Sequence, residues 1–141
     1  MTGDDARVAP SPAMLRPVER IVGFMETLDP TALEGAFADG PDVVVIDSFP
    51  PFVFTGRGAG ERWGAGFRAH AADHAGLRHE FGPAQEFSVS GDTGFFSLPI
   101  TWRWESGGVE HRETGGLAVV VVGDGDEFRV RSTGWAVVTY E

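Results

Sequence analysis

The chain has 141 residues, 42% hydrophobic and 23% charged, which is room for one domain with an ordinary core and none for a second. Its formal net charge of -10, from 11 basic and 21 acidic residues, offers no basic stripe to a polyanion, so nucleic acid is excluded as an expected partner. There is no Cys and no Lys, which removes thiol nucleophiles, disulfides and lysine Schiff bases and leaves acid–base work to Asp, Glu, His and the single Tyr140.

Residues 1–12, acid- and proline-rich, read as a disordered tail rather than a secretory signal. The longest aliphatic run, Leu117 to Val122, is too short for a membrane helix. No membrane partner is therefore expected, and the predicted location is cytoplasmic. From residue 13 onward the chain reads as a single domain. Met14, Leu15, Val18, Ile21, Val22, Met25 and Leu28 recur at helical spacing and predict a first helix, with Pro17 in its first turn. Asp29-Pro30-Thr31 restarts the chain into a short second helix with Leu33 and Phe37 inward.

Val43–Phe49 predicts a strand with Val43, Val45, Asp47 and Phe49 on one face, stopped by Pro50-Pro51. Phe52–Phe54 predicts a short return strand. Trp63, Phe67 and Ala71 space a third helix across 58–74, which Gly64 and Gly66 weaken. Four long strand segments follow: 77–90 with a break at Gly82-Pro83, then 93–105, 109–122 and 127–140, joined by Gly- and Asp-rich turns. Pro99 and Gly115-Gly116 mark places where a long sheet bends. The expected class is α+β: about three N-terminal helices on a curved, mostly antiparallel sheet, a cone-shaped half-barrel with a central pocket.

Asp47 is the residue that stands out, because a carboxylate among Val43, Val45 and Phe49 loses hydration unless it is paired or faces a wet cavity. It is either a base or a paired structural acid. His111, between Glu110 and Arg112, is a second acid–base candidate, against a surface charge ladder. His70 and His74 stand four residues apart, a spacing that can hold a metal. No third ligand is identifiable, so a solvated helix end is expected, and His79 makes a weaker case still. No metal and no cofactor are expected. Phe96, Leu98, Ile100, Trp102 and Trp104 alternate on one strand face and are expected inside. With Phe49, Phe52, Trp63, Phe67 and Trp135, the two tryptophans Trp102 and Trp104 are expected to wall a site for an apolar small molecule.

Phe37-Ala38-Asp39, Val45-Ile46-Asp47, Gly56 followed by Trp63, Val89-Ser90-Gly91-Asp92 and Gly125–Val130, in this order, resemble the nuclear-transport-factor-2-like superfamily, in particular its ketosteroid-isomerase and SnoaL-like branches. The resemblance covers residues 14–140. It implies a cone around an apolar pocket, dimers formed through the sheet, and a general base at Asp47. The chain departs from the isomerases at both oxyanion donors, where Arg20-Ile21-Val22 and Leu117-Ala118 stand. One such donor contributes roughly 3–4 kcal/mol, so steroid isomerisation is not implied. What remains is an isomerase, dehydratase or cyclase acting on an apolar cyclic compound, or a binding or association domain of the same fold. A homodimer is expected because Leu117–Val122 offers apolar side chains to both sheet faces.

Overall fold

The computed structural model describes residues 9–141. Most of the expected tail, residues 1–8, lies outside the described residues. The rest of it is structured: the Ser11 hydroxyl accepts the Met14 N–H at 3.2 Å and Pro12 opens the first helix, α1, Pro12–Thr27. Because α1 starts this early, Pro17 falls in its interior rather than its first turn. Its ring is buried, together with Val18, Ile21, Val22 and Phe24 on the same face. The short second helix is a single 3-10 turn, Pro30–Leu33, with Asp29 capping the Thr31 N–H. The third is α2, Ala59–His70. The expected count of three helices thus becomes two plus one 3-10 turn, since Pro30 and Gly35 leave too few residues for an α-helical nucleus.

The strands are β1 (Val44–Ile46), β2 (Val53–Thr55), β3 (Ala75–Phe81), β4 (Glu86–Ser90), β5 (Thr93–Ser106), β6 (Val109–Asp124) and β7 (Glu127–Tyr140). They make one seven-stranded sheet in the order β2-β1-β7-β6-β5-β3, with β4 beside β3 on the same edge of β5. All pairs are antiparallel except β1 with β7. β1 is shorter than the segment 43–49 because its last residues turn toward β2, with the Asp47 N–H donating to the Phe52 carbonyl at 3.0 Å.

The concave face carries the core. Phe96, Leu98, Ile100, Trp102 and Trp104 are all buried there, as their alternation predicts, and Val119, Val121 and Val130 close the layer from β6 and β7. Helices α1 and α2 lie over this face, and Trp63, 3% exposed, packs among Phe24, Phe37 and Phe67 with ring centroids 5.6–6.3 Å apart. Burial of each large ring contributes on the order of 2–3 kcal/mol.

The glycines of α2 have a role that helix propensity alone misses. A Cβ on Gly60 would stand 2.3 Å from the Phe37 ring, and one on Gly64 2.9 Å from Leu33. They weaken the isolated helix but let it approach the elements below. On the far side of α1, Glu26 Oε2 accepts the His79 backbone N–H at 2.7 Å and lies 2.6 Å from its Nδ1, tying β3 to the end of that helix. His79 is thereby assigned to a structural contact. Among the described residues, no helix is long and apolar enough to cross a membrane.

Candidate functional site

Between the helices and the concave face lies a cavity of about 330 Å³, a volume typical of small-molecule sites. α1 supplies Ile21, Val22 and Met25, while α2 and the turn after it supply Trp63, Phe67, His70 and His74. The sheet contributes Asp47, Trp102, Trp104, Glu113, Trp135 and Tyr140. The wall contains all four tryptophans of the chain, and no arginine among the described residues lines it.

Asp47 is partly buried and faces this cavity. Its Oδ2 accepts the Trp63 indole N–H at 2.8 Å and its Oδ1 accepts the Ser48 N–H at 2.7 Å. The strand alternation thus turns Asp47 toward the same side as Val45 and Phe49, and α2 brings the indole that fixes it.

A second carboxylate, Glu113, repeats the arrangement on β6: its Oε1 accepts the Trp135 indole N–H at 3.1 Å. Burial pushes the Glu113 carboxyl above the usual range; the Trp135 bond opposes this, the Asp47 charge adds to it, and His70 opposes it more weakly. Among the described residues, neither Asp47 nor Glu113 has an ion-pair partner.

The raised carboxyl has a stability consequence. With the folded pKa above the ordinary 4.5, ionisation favours the unfolded chain, so the Glu113 contribution is full below that value and lost as pH rises through the folded one. Glu113→Gln keeps an acceptor for Trp135 and removes the loss. The variant is expected to melt at or above the wild-type temperature at neutral pH, with its advantage shrinking in acid. A melting series against pH checks this, and a variant that melts lower at neutral pH contradicts it.

Two local devices aim these groups. A Cβ on Gly115 would lie 2.9 Å from the Trp135 ring and 2.2 Å from the Ala136 carbonyl, so only glycine leaves room for that indole beside Glu113. The register of β6 on β7 shifts between Thr114 and Gly115, leaving Val138 as an extra residue and setting Tyr140 rather than Thr139 opposite Glu113. Tyr140 therefore reaches the cavity mouth.

The sequence expectations meet this geometry unevenly. Asp47, Phe49, Trp63, Phe67, Trp102, Trp104 and Trp135 all line the cavity. Phe52 does not: it adopts a left-handed backbone (φ 75°) in the turn before β2, and its ring is 51% exposed. His111 is on the concave side of β6 but beyond the cavity, stacked on Trp104 at 5.4 Å with its Nδ1 3.0 Å from the Tyr140 hydroxyl. It supports the rim rather than facing a ligand.

His74 corrects the expectation of a solvated helix end, because it is half-buried and lines the cavity, whereas His70, the last residue of α2, is exposed as expected while it also borders the cavity. His70 stacks on Phe49 at 5.0 Å and His74 on Trp104 at 4.8 Å. Burial holds His74 below the ordinary imidazole range, with Asp73 opposing and the neighbouring His70 and His111 reinforcing. His74 is therefore neutral at neutral pH. Glu113 is not singled out by the sequence, and Tyr140 only as the single tyrosine available for acid–base work. Glu113 has a readable signal, since it shares strand parity with Val119 and Val121; the orientation of Tyr140 depends on the β6–β7 bulge beside Gly115.

No protein-family model matches the chain, and no curated protein matches it. Solved structures do. A hexachlorocyclohexane dehydrochlorinase (LinA) type 2 superposes with a TM-score of 0.74 at 8% identity, covering 92% of this chain and 85% of the other. A protein described as a scytalone dehydratase of Novosphingobium aromaticivorans gives 0.69 at 15% identity, covering 90% and 85%. A nuclear transport factor 2 (NTF2-like) superfamily protein of Salmonella enterica serovar Typhimurium gives 0.69 at 14% identity, covering 87% of each chain. With the helix-lined concave sheet, these matches establish that the chain has the NTF2-like α+β cone fold.

Proposed function

We propose that the protein is a cofactor-free acid–base enzyme that removes a proton from carbon in an apolar cyclic compound, leading to elimination or isomerisation. The observation that carries this reading is Asp47: a carboxylate oriented by Trp63 and Ser48, facing an aromatic cavity of about 330 Å³. Asp47 takes the proton. Glu113, whose carboxyl burial pushes up, is the group suited to deliver a proton to the leaving group or back to carbon; two carboxyls in unlike environments suit these two tasks. The surrounding rings exclude water and strengthen both interactions. Two of the similar structures carry names of elimination enzymes, a dehydratase and a dehydrochlorinase, which is compatible with this chemistry.

Proton abstraction can be tested before the substrate is known. Cyclic ketones and hydroxyketones incubated with the protein in deuterium oxide are expected to take up deuterium at the acidic carbon, read by NMR, and not to do so with Asp47→Asn. Binding of these compounds with no exchange across the panel would favour the alternative, a ligand-binding domain without turnover.

A homodimer through the sheet belongs to the same reading. On the convex face Phe95 pairs with Val120 and Ala118 with Gly134, with Ile46 beside that glycine. Phe95 and Ile46 are 36% and 44% exposed, an apolar stripe that a second copy would cover. Light scattering at micromolar concentration is expected to give twice the mass of the 15.1 kDa chain. A monomer would rule this interface out.

A further inference from the structure

The charge inside the cavity is one-sided. Asp47 and Glu113 line it, His74 is neutral at neutral pH, His70 and Tyr140 stand at the rim, and no arginine among the described residues contributes to the wall. Among the described residues, the six pairs that join an arginine or histidine to an acid, such as Arg78 with Glu110 and Arg112 with Glu141, all leave Asp47 and Glu113 out. Among the same residues, the side-chain donors to Asp47 and Glu113 are two indole N–H groups, from Trp63 and Trp135, which are neutral.

Indole donors orient a carboxylate without cancelling its charge. Asp47 and Glu113 thus bring two carboxyl groups to an apolar cavity with no arginine beside them among the described residues. The remaining wall supplies tryptophan faces, the side-chain surface most attractive to a cation. An anionic ligand would meet like charge with nothing to balance it, and a neutral one would leave the desolvated carboxylate unanswered. We propose that the natural ligand is an apolar ring compound carrying a positive charge, a protonated amine or quaternary ammonium, seated between Asp47, Glu113 and the tryptophan rings that line the cavity. This rests on the reading of the cavity as the substrate site and names the chemical class of that substrate.

Three probes of one shape separate charge from fit: 1-adamantanammonium, 1-adamantanol and adamantane-1-carboxylate. None absorbs where tryptophan does, so each can be titrated by tryptophan emission. The titrations are run at about 0.15 M salt, where charges beyond about 8 Å are screened and the net charge of -10 counts for little. The ammonium is expected to bind at least tenfold tighter than the alcohol, and the carboxylate weaker than both. In the double variant Asp47→Asn with Glu113→Gln, which keeps shape and indole acceptors, the ammonium preference over the alcohol is expected to vanish. Measurable alcohol binding by that variant also demonstrates a folded cavity. Equal affinity of wild type for ammonium and alcohol overturns the cationic class and leaves the cavity reading standing. A preference that survives in the double variant also overturns it, by assigning the attraction to surface charge. Binding of none of the three overturns the cavity reading itself and the proposal with it.

Discussion

Asp47→Asn is expected to slow proton exchange by roughly 10² to 10⁴, the contribution of a positioned general base. Its stability should change little. The amide oxygen can still accept the Trp63 indole, and the Ser48 N–H it gives up sits on an exposed residue where water replaces it. Asp47→Ala is different: it leaves the indole N–H of a 3% exposed tryptophan without an acceptor, at a cost of about 1–3 kcal/mol. The pair of variants separates the two roles. If Asn keeps full exchange activity while Ala melts early, Asp47 is the structural acceptor for Trp63, and the base must be sought elsewhere. Exchange rates and melting curves on the same preparations decide it.

Gly115→Val is expected to be the most destabilising of the substitutions considered. Its Cβ would meet both the Trp135 ring and the Ala136 carbonyl, and the latter is backbone that cannot swing aside. Overpacking of this kind costs about 1–3 kcal/mol, which lowers the Tm by roughly 3–10 °C in a domain of this size. The shifted indole should also leave Glu113, so ring compounds should bind more weakly. Gly116→Ala is the control, because a Cβ there meets nothing within 4 Å. Its Tm should stay near that of wild type. A Gly115→Val protein that melts with the control would show that the sheet absorbs the added side chain, and that Trp135 is not held by this contact.

The sequence by itself determined the architecture and much of the wall. Alternation is a local property of the chain, so Phe96 through Trp104 could be assigned to one face, and Asp47 to the side of Val45 and Phe49, before any contact was known. Turn residues are local as well, and they divided the last four strand segments close to where the structure divides them. The same logic fails where orientation depends on what lies opposite. Helical spacing makes His70 and His74 neighbours but does not say that the sheet curls toward them, so they read as a solvated end. Parity alone puts His111 and Glu113 on one face; only the length of the cavity along β6 admits Glu113 and leaves His111 at the rim. The β6–β7 bulge decides which of Thr139 and Tyr140 looks inward; Gly115-Gly116 marks its place in the sequence, but which residue of β7 it leaves unpaired is decided only by the pairing. The glycines of α2 illustrate the same division. Helix propensity counts Gly64 as a cost, whereas the tertiary structure sets a Cβ there 2.9 Å from the Leu33 methyl, which would have to shift to admit it. Local chemistry therefore determined the elements and their faces, and packing between distant segments decided which of those faces meet around the cavity.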